Sequence, residues 1–511
     1  MNNIVETVVV SAEQMQQIEK QIFNAGMPVS ALMEKAARLC SDRIQDLYPL
    51  FKTKTVGILV GPGHNGGDTL VIARELFLAG YQIEVYCPFS KLKSLTTQHS
   101  NYAKSLGIAF YDKIEPLEKC ALFIDGLFGF GLTRDLPENI IEAIDTVNNW
   151  SPSVVSIDLP SGVHADTGVT LGGAFKATHT LCLGLWKRAF FQDIALEYLG
   201  SSERIDFGIL PQHIWSVLSP PAPVKQITSE VAGQFLPLPR NVATHKYLQG
   251  HLLLICGSLR YAGAAILTAL GARASGVGML SIAVPESLKT LVVSHLPEAL
   301  IIGCPENKEG AFASLPFSVS DLQQFDAIAC GPGLTKDAKS VVEKVLSAEC
   351  PVVLDADGLN ILSEQNVSQV LTQRDAPTIL TPHWGEFKRL FPEIAEQQSD
   401  RITAVQTAAS QSNAIVLLKG TKTAISNPEK HTWLVLKSSP ALARGGSGDV
   451  LTGLTGGLVA QGAKKEQNLF NIVANAAWWH AQAGILAAKE RTELGVDAST
   501  LAEYLLLVLN K

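Results

Sequence analysis

The chain has 511 residues, more than one ordinary hydrophobic core accommodates, so two or three domains are expected. Hydrophobic residues make up 47% of it and charged residues only 17%, a balance that favours large, well-buried sheets. The formal net charge is −7 and there is no basic block, which argues against non-specific binding to nucleic acid or to an anionic membrane.

The N-terminus and the cysteines indicate the compartment. Residues 1–20 contain acidic side chains and no long apolar core, so they are not typical of a signal peptide. No apolar run of transmembrane length is free of Gly, Pro and charge. The eight cysteines are scattered, without a C-x-x-C pair, as in a reduced protein. We therefore expect a soluble, cytoplasmic protein.

The first half begins with a helical pattern and continues with short apolar runs. Ser11 and Gln14 have the spacing of a capping box, and the helical pattern covers residues 11–47. Helical spacers separate most of the predicted buried strands, which lie at 55–61, 83–88, 121–125, 153–158 and 179–183. Continuous apolar strands that alternate with helices predict a parallel sheet covered on both faces.

Glycine-rich and acidic segments follow these strands. Residues 61–68 read GPGHNGGD and precede an apolar helical run at 70–78, which is the setting of a phosphate-binding strand–loop–helix. The spacing is neither that of G-x-G-x-x-G nor that of a Walker loop. Two further segments place Asp125 and Asp158 at the end of an apolar strand. These strand ends are candidate binding positions.

A proline-rich segment divides the chain. Residues 218–225 include three prolines in five positions, which neither a helix nor a central strand tolerates, so they predict a linker between domains 1–217 and 226–511. The second half then has the same alternation and no repeat of solenoid length. Its predicted strands lie at 250–256, 280–284, 327–331, 352–355, 378–380, 415–419 and 433–436.

Small and polar residues follow the strands of the second half, where parallel sheets usually form their ligand crevice. The segments are CGS at 256–258, GPGL at 331–334, DADGLN at 355–360, TPHWGE at 381–386 and KGTKT at 419–423. Each is weak evidence alone, because Asp355 and Asp357 could simply cap the next helix and His383 could be structural. Together they indicate one binding crevice.

The run at 442–453 carries the most specific chemistry. The amides of Gly445, Gly446 and Gly448 can turn toward one point at a helix N-terminus, which makes an anion hole suited to phosphate. A carboxylate there competes with an anion. The position of Asp449 makes sense if it takes a proton from a hydroxyl while the amides hold the phosphoryl group that moves toward it. The run predicts chemistry at a nucleotide phosphate.

Residues 225–511 resemble the ADP-dependent NAD(P)H-hydrate dehydratases, a branch of the ribokinase-like superfamily, and GGSGDVLTG is the most specific match. The resemblance implies a ribokinase-like α/β/α sandwich that uses ADP with Mg²⁺. It implies substrate contacts at Ala264, Gly333, His383 and Asp449. With the anion hole included, the nucleotide-binding residues are Lys419, Gly420, Thr421, Lys422, Thr423, Gly445, Gly446, Ser447 and Gly448.

The second half departs from that family pattern at two places. Trp384 replaces the proline of T-P-H-P-G-E, and Arg444 stands in a turn that usually reads M-A-T-G-G. Arg444 would either add positive charge to the ADP pocket or point to solvent.

Residues 5–215 resemble the NAD(P)H-hydrate epimerase domain, which implies a Rossmann-like three-layer sandwich. His64 and Thr69 depart from its N-N-G-G-D-G pattern. The resemblance implies a potassium ion at Asn65, Asp125 and Ser161, all oxygen donors of the kind a hard cation prefers. It implies substrate contacts at His64, Asn65, Gly66, Gly67, Asp68, Gly129, Phe130, Gly131, Leu132, Thr133, Arg134, Asp135 and Asp158.

The two resemblances together predict a metabolite-repair enzyme, expected as a homo-oligomer. Its first half would epimerise (6R)- to (6S)-NAD(P)H hydrate, with Asp158 as candidate acid or base, by water loss and re-addition or by ring opening and closure. Its second half would dehydrate the S form, with Asp449 as base, and convert ADP to AMP and phosphate. The alternatives are a ribokinase-like kinase of a vitamin-type alcohol and a non-catalytic first half.

Overall fold

The structure is a computed structural model that describes residues 2–319, 321–397 and 400–509. The chain separates into two compact units, and the division falls between Val224 and Lys225. Each unit is built on a largely parallel sheet with helices, which confirms the predicted α/β class. Among the described residues, no helix combines the length and the apolar character needed to cross a membrane.

The first unit contains a parallel sheet of seven strands in the order β4-β3-β2-β5-β6-β7-β9, and a separate pair formed by β1 and β8. Its strands are β1 (Val9–Val10), β2 (Thr55–Val60), β3 (Gln82–Tyr86), β4 (Ala109–Tyr111), β5 (Leu122–Gly126), β6 (Ser153–Ile157), β7 (His179–Leu183), β8 (Trp186–Lys187) and β9 (Ser201–Ile205). Its helices are α1 (Asn2–Thr7), α2 (Ala12–Asn24), α3 (Val29–Leu47), α4 (His64–Leu78), α5 (Ser94–Ser105), α6 (Glu138–Trp150), α7 (Leu196–Leu199) and α8 (Pro211–Trp215).

Helices cover both faces of the first sheet. Val56, Ile58 and Val60 of β2 belong to the core that α3 and α4 cover, whereas Leu59 belongs to the core beneath α6. Alternate residues of one strand therefore enter two different cores. This is the three-layer arrangement that the sequence predicted.

The helical pattern predicted over 11–47 is interrupted. The capping box of Ser11 and Gln14 is present and starts α2, but the chain then turns at Gly26, whose φ is 100°. Pro28 caps α3 on its N-terminal side. A left-handed glycine followed by a proline ends one helix and begins another, so the single predicted element is two helices.

The second unit contains a sheet of ten strands in the order β10-β19-β18-β17-β16-β15-β14-β11-β12-β13, in which β11 to β17 are parallel and β18 is antiparallel to both of its neighbours. Its strands are β10 (Val224–Gln226), β11 (His251–Ile255), β12 (Met279–Pro285), β13 (Leu300–Cys304), β14 (Ala327–Cys330), β15 (Val352–Leu354), β16 (Thr378–Leu380), β17 (Ile415–Leu418), β18 (Ala424–Ser426) and β19 (Thr432–Leu434). The predicted linker, 218–225, therefore ends inside a strand.

The helices of the second unit include a long C-terminal set. They are α9 (Ser229–Phe235), α10 (Ala262–Ala274), α11 (Lys289–His295), α12 (Lys339–Leu346), α13 (Ala356–Leu362), α14 (Val367–Thr372), α15 (Trp384–Leu390), α16 (Pro392–Gln397), α17 (Arg401–Ser412), α18 (Ser447–Lys464), α19 (Leu469–Arg491) and α20 (Ala498–Val508).

Two of these helices, α10 and α18, touch through their backbones. A Cβ added at Gly271 would lie 2.1 Å from the Val450 carbonyl oxygen, and one added at Gly453 would lie 1.7 Å from the Thr268 carbonyl oxygen. Further along both helices, a Cβ added at Gly457 would lie 2.1 Å from the Ser275 hydroxyl oxygen. The contact of Gly271 with Val450 is thus followed by one of Ser275 with Gly457, so α10 and α18 are parallel. Their N-termini consequently lie at the same end of the unit.

Candidate active sites

The first candidate site lies where the strand order of the first sheet reverses, between β2 and β5. The loops after these strands border a cavity of about 870 Å³, in the place where open α/β sheets usually bind ligands. The predicted site residues that line the cavity are His64, Asn65, Asp68, Gly129, Phe130, Gly131, Leu132, Thr133, Arg134 and Asp158. Gly66, Gly67 and Asp135 are not among its lining residues.

Gly66 and Gly67 have a packing role. Helix α4 begins at His64, six residues earlier than the predicted helical run, so both glycines lie in its first turn. A Cβ added at Gly66 would lie 2.0 Å from the Gly61 carbonyl oxygen, and one added at Gly67 would lie 2.7 Å from Cε of Met33. The absence of side chains lets the start of α4 approach the end of β2 and helix α3.

Asp158 is held rigidly at the cavity wall. It follows β6 with φ at 71°, and its side chain is buried. Its Oδ2 accepts a hydrogen bond from the Phe130 amide at 2.9 Å, and its Oδ1 accepts one from the Leu183 amide at 3.4 Å. The ammonium of Lys187 donates to Oδ1 at 2.5 Å and lies 5.5 Å from the centre of the Phe130 ring.

Lys187 is a site residue that sequence reasoning missed. Its side chain is 0% exposed, and its ammonium also donates to the Leu183 carbonyl. Burial lowers the pKa of Lys187, but the charge of Asp158 and its neighbours outweighs burial and the pKa is raised overall. The available signal was a lysine inside the apolar segment 180–191, where an uncompensated charge would be costly.

The predicted potassium ligands have a chemistry that fits a cation. The Ser161 hydroxyl donates to Oδ1 of Asp125 at 2.6 Å, and the Ser161 amide donates to Oδ2 at 2.8 Å. Burial raises the pKa of Asp125 to about 6, although these hydrogen bonds lower it. Asn65 donates its amide group to the Ile157 carbonyl at 3.3 Å, which leaves its side-chain oxygen as an acceptor.

The second candidate site surrounds the N-terminus of α18. Gly446 precedes the helix with φ at 90°, and Gly448 and Asp449 lie in the first turn. Their amides have no carbonyl partner within the helix, as the predicted anion hole requires. The Ser447 amide is less available, because it donates to the Arg444 carbonyl at 3.3 Å. Burial, with help from Asp355, raises the pKa of Asp449 to about 7.

A lysine-centred network lies beside this helix terminus. The Lys419 ammonium donates to Oδ1 of Asp355 at 2.7 Å, and the Thr452 hydroxyl donates to Oδ2 at 2.6 Å. Glu386 lies 3.9 Å from the same ammonium. A Cβ added at Gly448 would lie 3.4 Å from the Lys419 nitrogen. The structure thus brings residues after β15, β16 and β17 together with the anion hole.

His383 and Trp384 begin helix α15. The Nδ1 atom of His383 accepts from the Gly385 amide at 2.9 Å, and the His383 amide donates to Glu386 at 2.8 Å, which completes a capping box. His383 remains exposed, and its backbone forms a parallel bridge with Lys419. Trp384 stacks on Phe387 with ring centres 5.3 Å apart. The tryptophan therefore replaces proline without disrupting the start of the helix.

Ala264 and Gly333 form a third part of this site. A Cβ added at Gly333 would lie 2.9 Å from Cβ of Ala264, and Gly333 itself has φ at 67°. Ala264 lies in the first turn of α10, which is parallel to α18, so it lies at the same end of the unit as Asp449. The substrate contacts implied by the resemblance are thus gathered at one end of the sheet.

Three polar residues of the predicted nucleotide site are Lys422, Thr423 and Thr421. Two of them form hydrogen bonds with backbone carbonyl groups of the protein. The Lys422 ammonium donates to the Leu436 carbonyl at 2.5 Å, and the Thr423 hydroxyl donates to the Gly420 carbonyl at 3.2 Å. Thr421 is exposed. The Arg444 guanidinium donates to the Val496 carbonyl at 2.9 Å, and Arg444 is exposed.

Within the described ranges, His, Cys, Asp and Glu side chains form no cluster of three that could hold a metal ion. All eight cysteines are free thiols, and seven of them are buried.

Comparisons with known proteins cover the whole chain. Residues 252–506 match the family model described as NAD(P)H-hydrate dehydratase, and residues 29–189 match the model described as YjeF-related protein N-terminus. A bifunctional NAD(P)H-hydrate repair enzyme Nnr of Synechocystis sp. is 57% identical over 98% of this chain and 94% of its own length. A protein of the same description from Thermosynechococcus vestitus is 48% identical, over 98% of this chain and 97% of its own.

A solved structure also matches the second half. It is the ADP/ATP-dependent NAD(P)H-hydrate dehydratase from Bacillus subtilis, co-crystallized with ATP/Mg²⁺. It is 33% identical, and the match covers 53% of this chain and 93% of that one, with a TM-score of 0.45.

Proposed function

The chain belongs to the family of bifunctional NAD(P)H-hydrate repair enzymes, and we propose that its two units catalyse the two steps of that repair. The first unit converts (6R)- to (6S)-NAD(P)H hydrate. The second unit dehydrates the S form and converts ADP to AMP and phosphate. The kinase alternative is not favoured, because relatives matched along nearly the full chain are described as repair enzymes.

The observation that carries the dehydratase assignment is the position of Asp449. Its carboxyl lies in the first turn of α18, beside amides free to hold a phosphoryl group, and its pKa is raised to about 7. A group with that pKa can accept a proton near neutral pH. Asp449 takes the proton from the C6 hydroxyl of the hydrate as the hydroxyl oxygen attacks the terminal phosphate of ADP.

The N-terminus of α18 and Lys419 neutralise the negative charge of the phosphate. The amides of Gly448 and Asp449 hold the phosphoryl oxygens as the group transfers. Lys419, fixed by Asp355, supplies positive charge next to Gly448. The lone pair of the ring nitrogen then expels phosphate from C6, and C5 loses a proton to the departing phosphate. The C5–C6 double bond forms and the reduced dinucleotide is restored. Phosphorylation is needed because phosphate is a much better leaving group from C6 than hydroxide.

Mg²⁺ enters with the nucleotide. The ion would be carried by the phosphates of ADP, as Mg²⁺ commonly is. It supplies positive charge against the transferring phosphoryl group.

The cavity at the β2–β5 switch point supports the epimerase assignment. About 870 Å³ is enough for a nicotinamide and its ribose phosphate, and the cavity places Asp158 in its wall. Potassium fits beside Asp125, Ser161 and Asn65, where it offsets the negative charge of a buried carboxylate. A homo-oligomeric state and a cytoplasmic location remain predictions.

The test is recovery of reduced-nicotinamide absorbance from a mixed R/S hydrate with Mg²⁺, K⁺ and either ADP or ATP. We expect complete recovery with ADP and release of free phosphate. Recovery that stops when the S form is consumed would contradict the epimerase assignment. A phosphoester that accumulates in place of free phosphate would establish the kinase alternative.

A further inference from the structure

The wall of the first cavity contains a carboxyl group to which the resemblance gives no role. Glu19 lies on α2, one residue after the fully buried Ile18, and its side chain reaches the cavity. The capping box of Ser11 and Gln14 fixes the start of this helix. Glu19 is therefore held at the cavity by a regular, well-packed helix.

Asp158 is poorly placed to exchange protons. Both of its carboxyl oxygens already accept hydrogen bonds, from Lys187 and Leu183 on one side and from Phe130 on the other. A proton on either oxygen would displace one of these donors, and Lys187 would lose its buried counter-charge. Asp158 is therefore suited to hold the substrate as a fixed acceptor.

Glu19 has the opposite properties. Its carboxyl is half-buried and forms no hydrogen bond with any described residue. The charged groups that face it are Lys187, Asp158 and Asp68. Burial raises the pKa of Glu19 to about 7, Lys187 lowers it and Asp158 raises it. Both of its protonation states are consequently populated near neutral pH, as a group that must give and later recover a proton requires.

We propose that Glu19 is the general acid–base of epimerisation, exchanging a proton with the C6 oxygen of the hydrate while the Asp158–Lys187 pair anchors the ring. The proposal rests on the proposed epimerase function of the first unit. It assigns the proton transfer to a residue on α2, outside the glycine-rich loops and strand ends.

The proposed step proceeds by loss and return of water. Protonated Glu19 gives its proton to the C6 hydroxyl as the C6–O bond breaks. The lone pair of the ring nitrogen forms an N1–C6 double bond, and water leaves. Water then adds to the opposite face of C6 and loses one proton to solvent, from which the Glu19 carboxylate is protonated again. No group is oxidised or reduced, and the enzyme ends as it began.

The test is Glu19→Gln in the full chain, with R-to-S conversion followed by chromatography in the absence of nucleotide. We expect kcat for conversion to fall by at least about 100-fold, as loss of a general acid–base commonly produces. Dehydration of S hydrate with ADP should be unchanged, which shows that the variant is folded. Glu13→Gln, an exposed change on the same helix, is the matched control and should retain both activities.

A pH profile separates proton transfer from a structural role. Since the proposed first step needs protonated Glu19, kcat/KM of the wild type should fall above about pH 7, and the residual rate of Glu19→Gln should lose this dependence. Conversion by Glu19→Gln within about threefold of wild type, or the same pH profile in both proteins, would overturn the inference. If the wild type does not interconvert the epimers, the proposed function fails and the inference falls with it.

Discussion

Asp449 is the residue on which the proposed dehydratase mechanism depends. Asp449→Asn keeps the size of the side chain and removes the base, so we expect dehydration of S hydrate to fall by about 10²–10⁴-fold. The amides of α18 and Lys419 remain, so ADP should still bind. Stopped-flow absorbance and calorimetric titration with ADP measure the two quantities. Retained turnover would exclude Asp449 as the base.

The raised pKa of Asp449 also sets a pH dependence. The carboxylate is the active form, and it is lost as the pH falls through about 7. We therefore expect kcat/KM for S hydrate to level off above pH 7 and to decrease about tenfold for each pH unit below it. The charged groups that face Asp449 are Asp355 and Lys419. A rate that is independent of pH between 5 and 8 would contradict this assignment.

The pairing of Lys187 with Asp158 is a single-residue feature that the sequence pattern did not predict. It lies 29 positions from Asp158, and only the chain path after β7 brings the two together. Lys187→Met leaves Asp158 as an unpaired buried charge, which commonly costs about 3–5 kcal/mol. Chemical denaturation should show that loss of stability in the first unit, and adding Asp158→Asn should recover part of it.

The control for Lys187 is an exposed ion pair in the same unit. Lys176 lies 2.6 Å from Glu197, and both side chains are more than half exposed. Lys176→Met should leave the unfolding free energy nearly unchanged, because an exposed ion pair contributes little. Equal effects of the two substitutions would mean that the buried pair contributes no more than an exposed one.

At the scale of elements, the predicted strands are those buried on both faces. All of the predicted apolar runs correspond to strands, because a central parallel strand is apolar along its whole length. The missed strands are chiefly those at sheet edges, β4, β9, β10 and β13. β4, β9 and β13 are partly exposed, β4 and β10 have only three residues, and β9 and β10 contain charged residues. These segments therefore differ from the fully buried runs of the central strands. Short edge strands are detectable only once their neighbours are known.

The close contact between α10 and α18 is an element-scale feature with a direct test. Gly453→Ala would place a methyl group 1.7 Å from the Thr268 carbonyl oxygen, which forces the helices apart. Such overpacking commonly costs about 1–3 kcal/mol. We expect that loss in the unfolding free energy of the second unit, measured by chemical denaturation.

Gly263→Ala provides the matched control for this helix pair. Gly263 also lies in α10, but a Cβ added there meets no heavy atom within 4 Å. Its replacement should leave stability unchanged or raise it by up to about 1 kcal/mol through helix propensity. Equal destabilisation by both variants would contradict the proposed role of the helix contact.

At the scale of the whole molecule, each candidate site is built from the residues of one unit. We expect an equimolar mixture of full-length Asp449→Asn and Asp158→Asn proteins to recover a mixed R/S hydrate completely, because each supplies the activity that the other lacks. Absorbance recovery measures this. Asp158→Asn alone should consume only the S form, and a mixture that stops at the same level would contradict the assignment of the two activities.

The division into two units was largely predictable from the sequence, whereas the residues of the candidate sites were predictable only in part. Length and the proline-rich segment indicated the division, and the glycine-rich motifs indicated the strand ends where both candidate sites lie. Glu19 and Lys187 could not be found this way, because α2 and β8 carry no recognisable motif. Only tertiary packing brings Glu19 to the cavity and Lys187 to Asp158. Patterns along the chain locate loops, whereas opposing walls of a cavity come from distant segments.

The side chain of Thr69 restricts which residues position 126 can accept. Its hydroxyl donates to the Asn65 carbonyl at 2.6 Å, and a Cβ added at Gly126 would lie 1.6 Å from that hydroxyl oxygen. The related epimerase pattern has glycine at position 69. A lineage that acquired the threonine thereby lost the freedom to replace Gly126, and it regains that freedom only by reverting position 69 first. The order in which these substitutions accumulate is therefore fixed by contact, and ancestral sequences should show it.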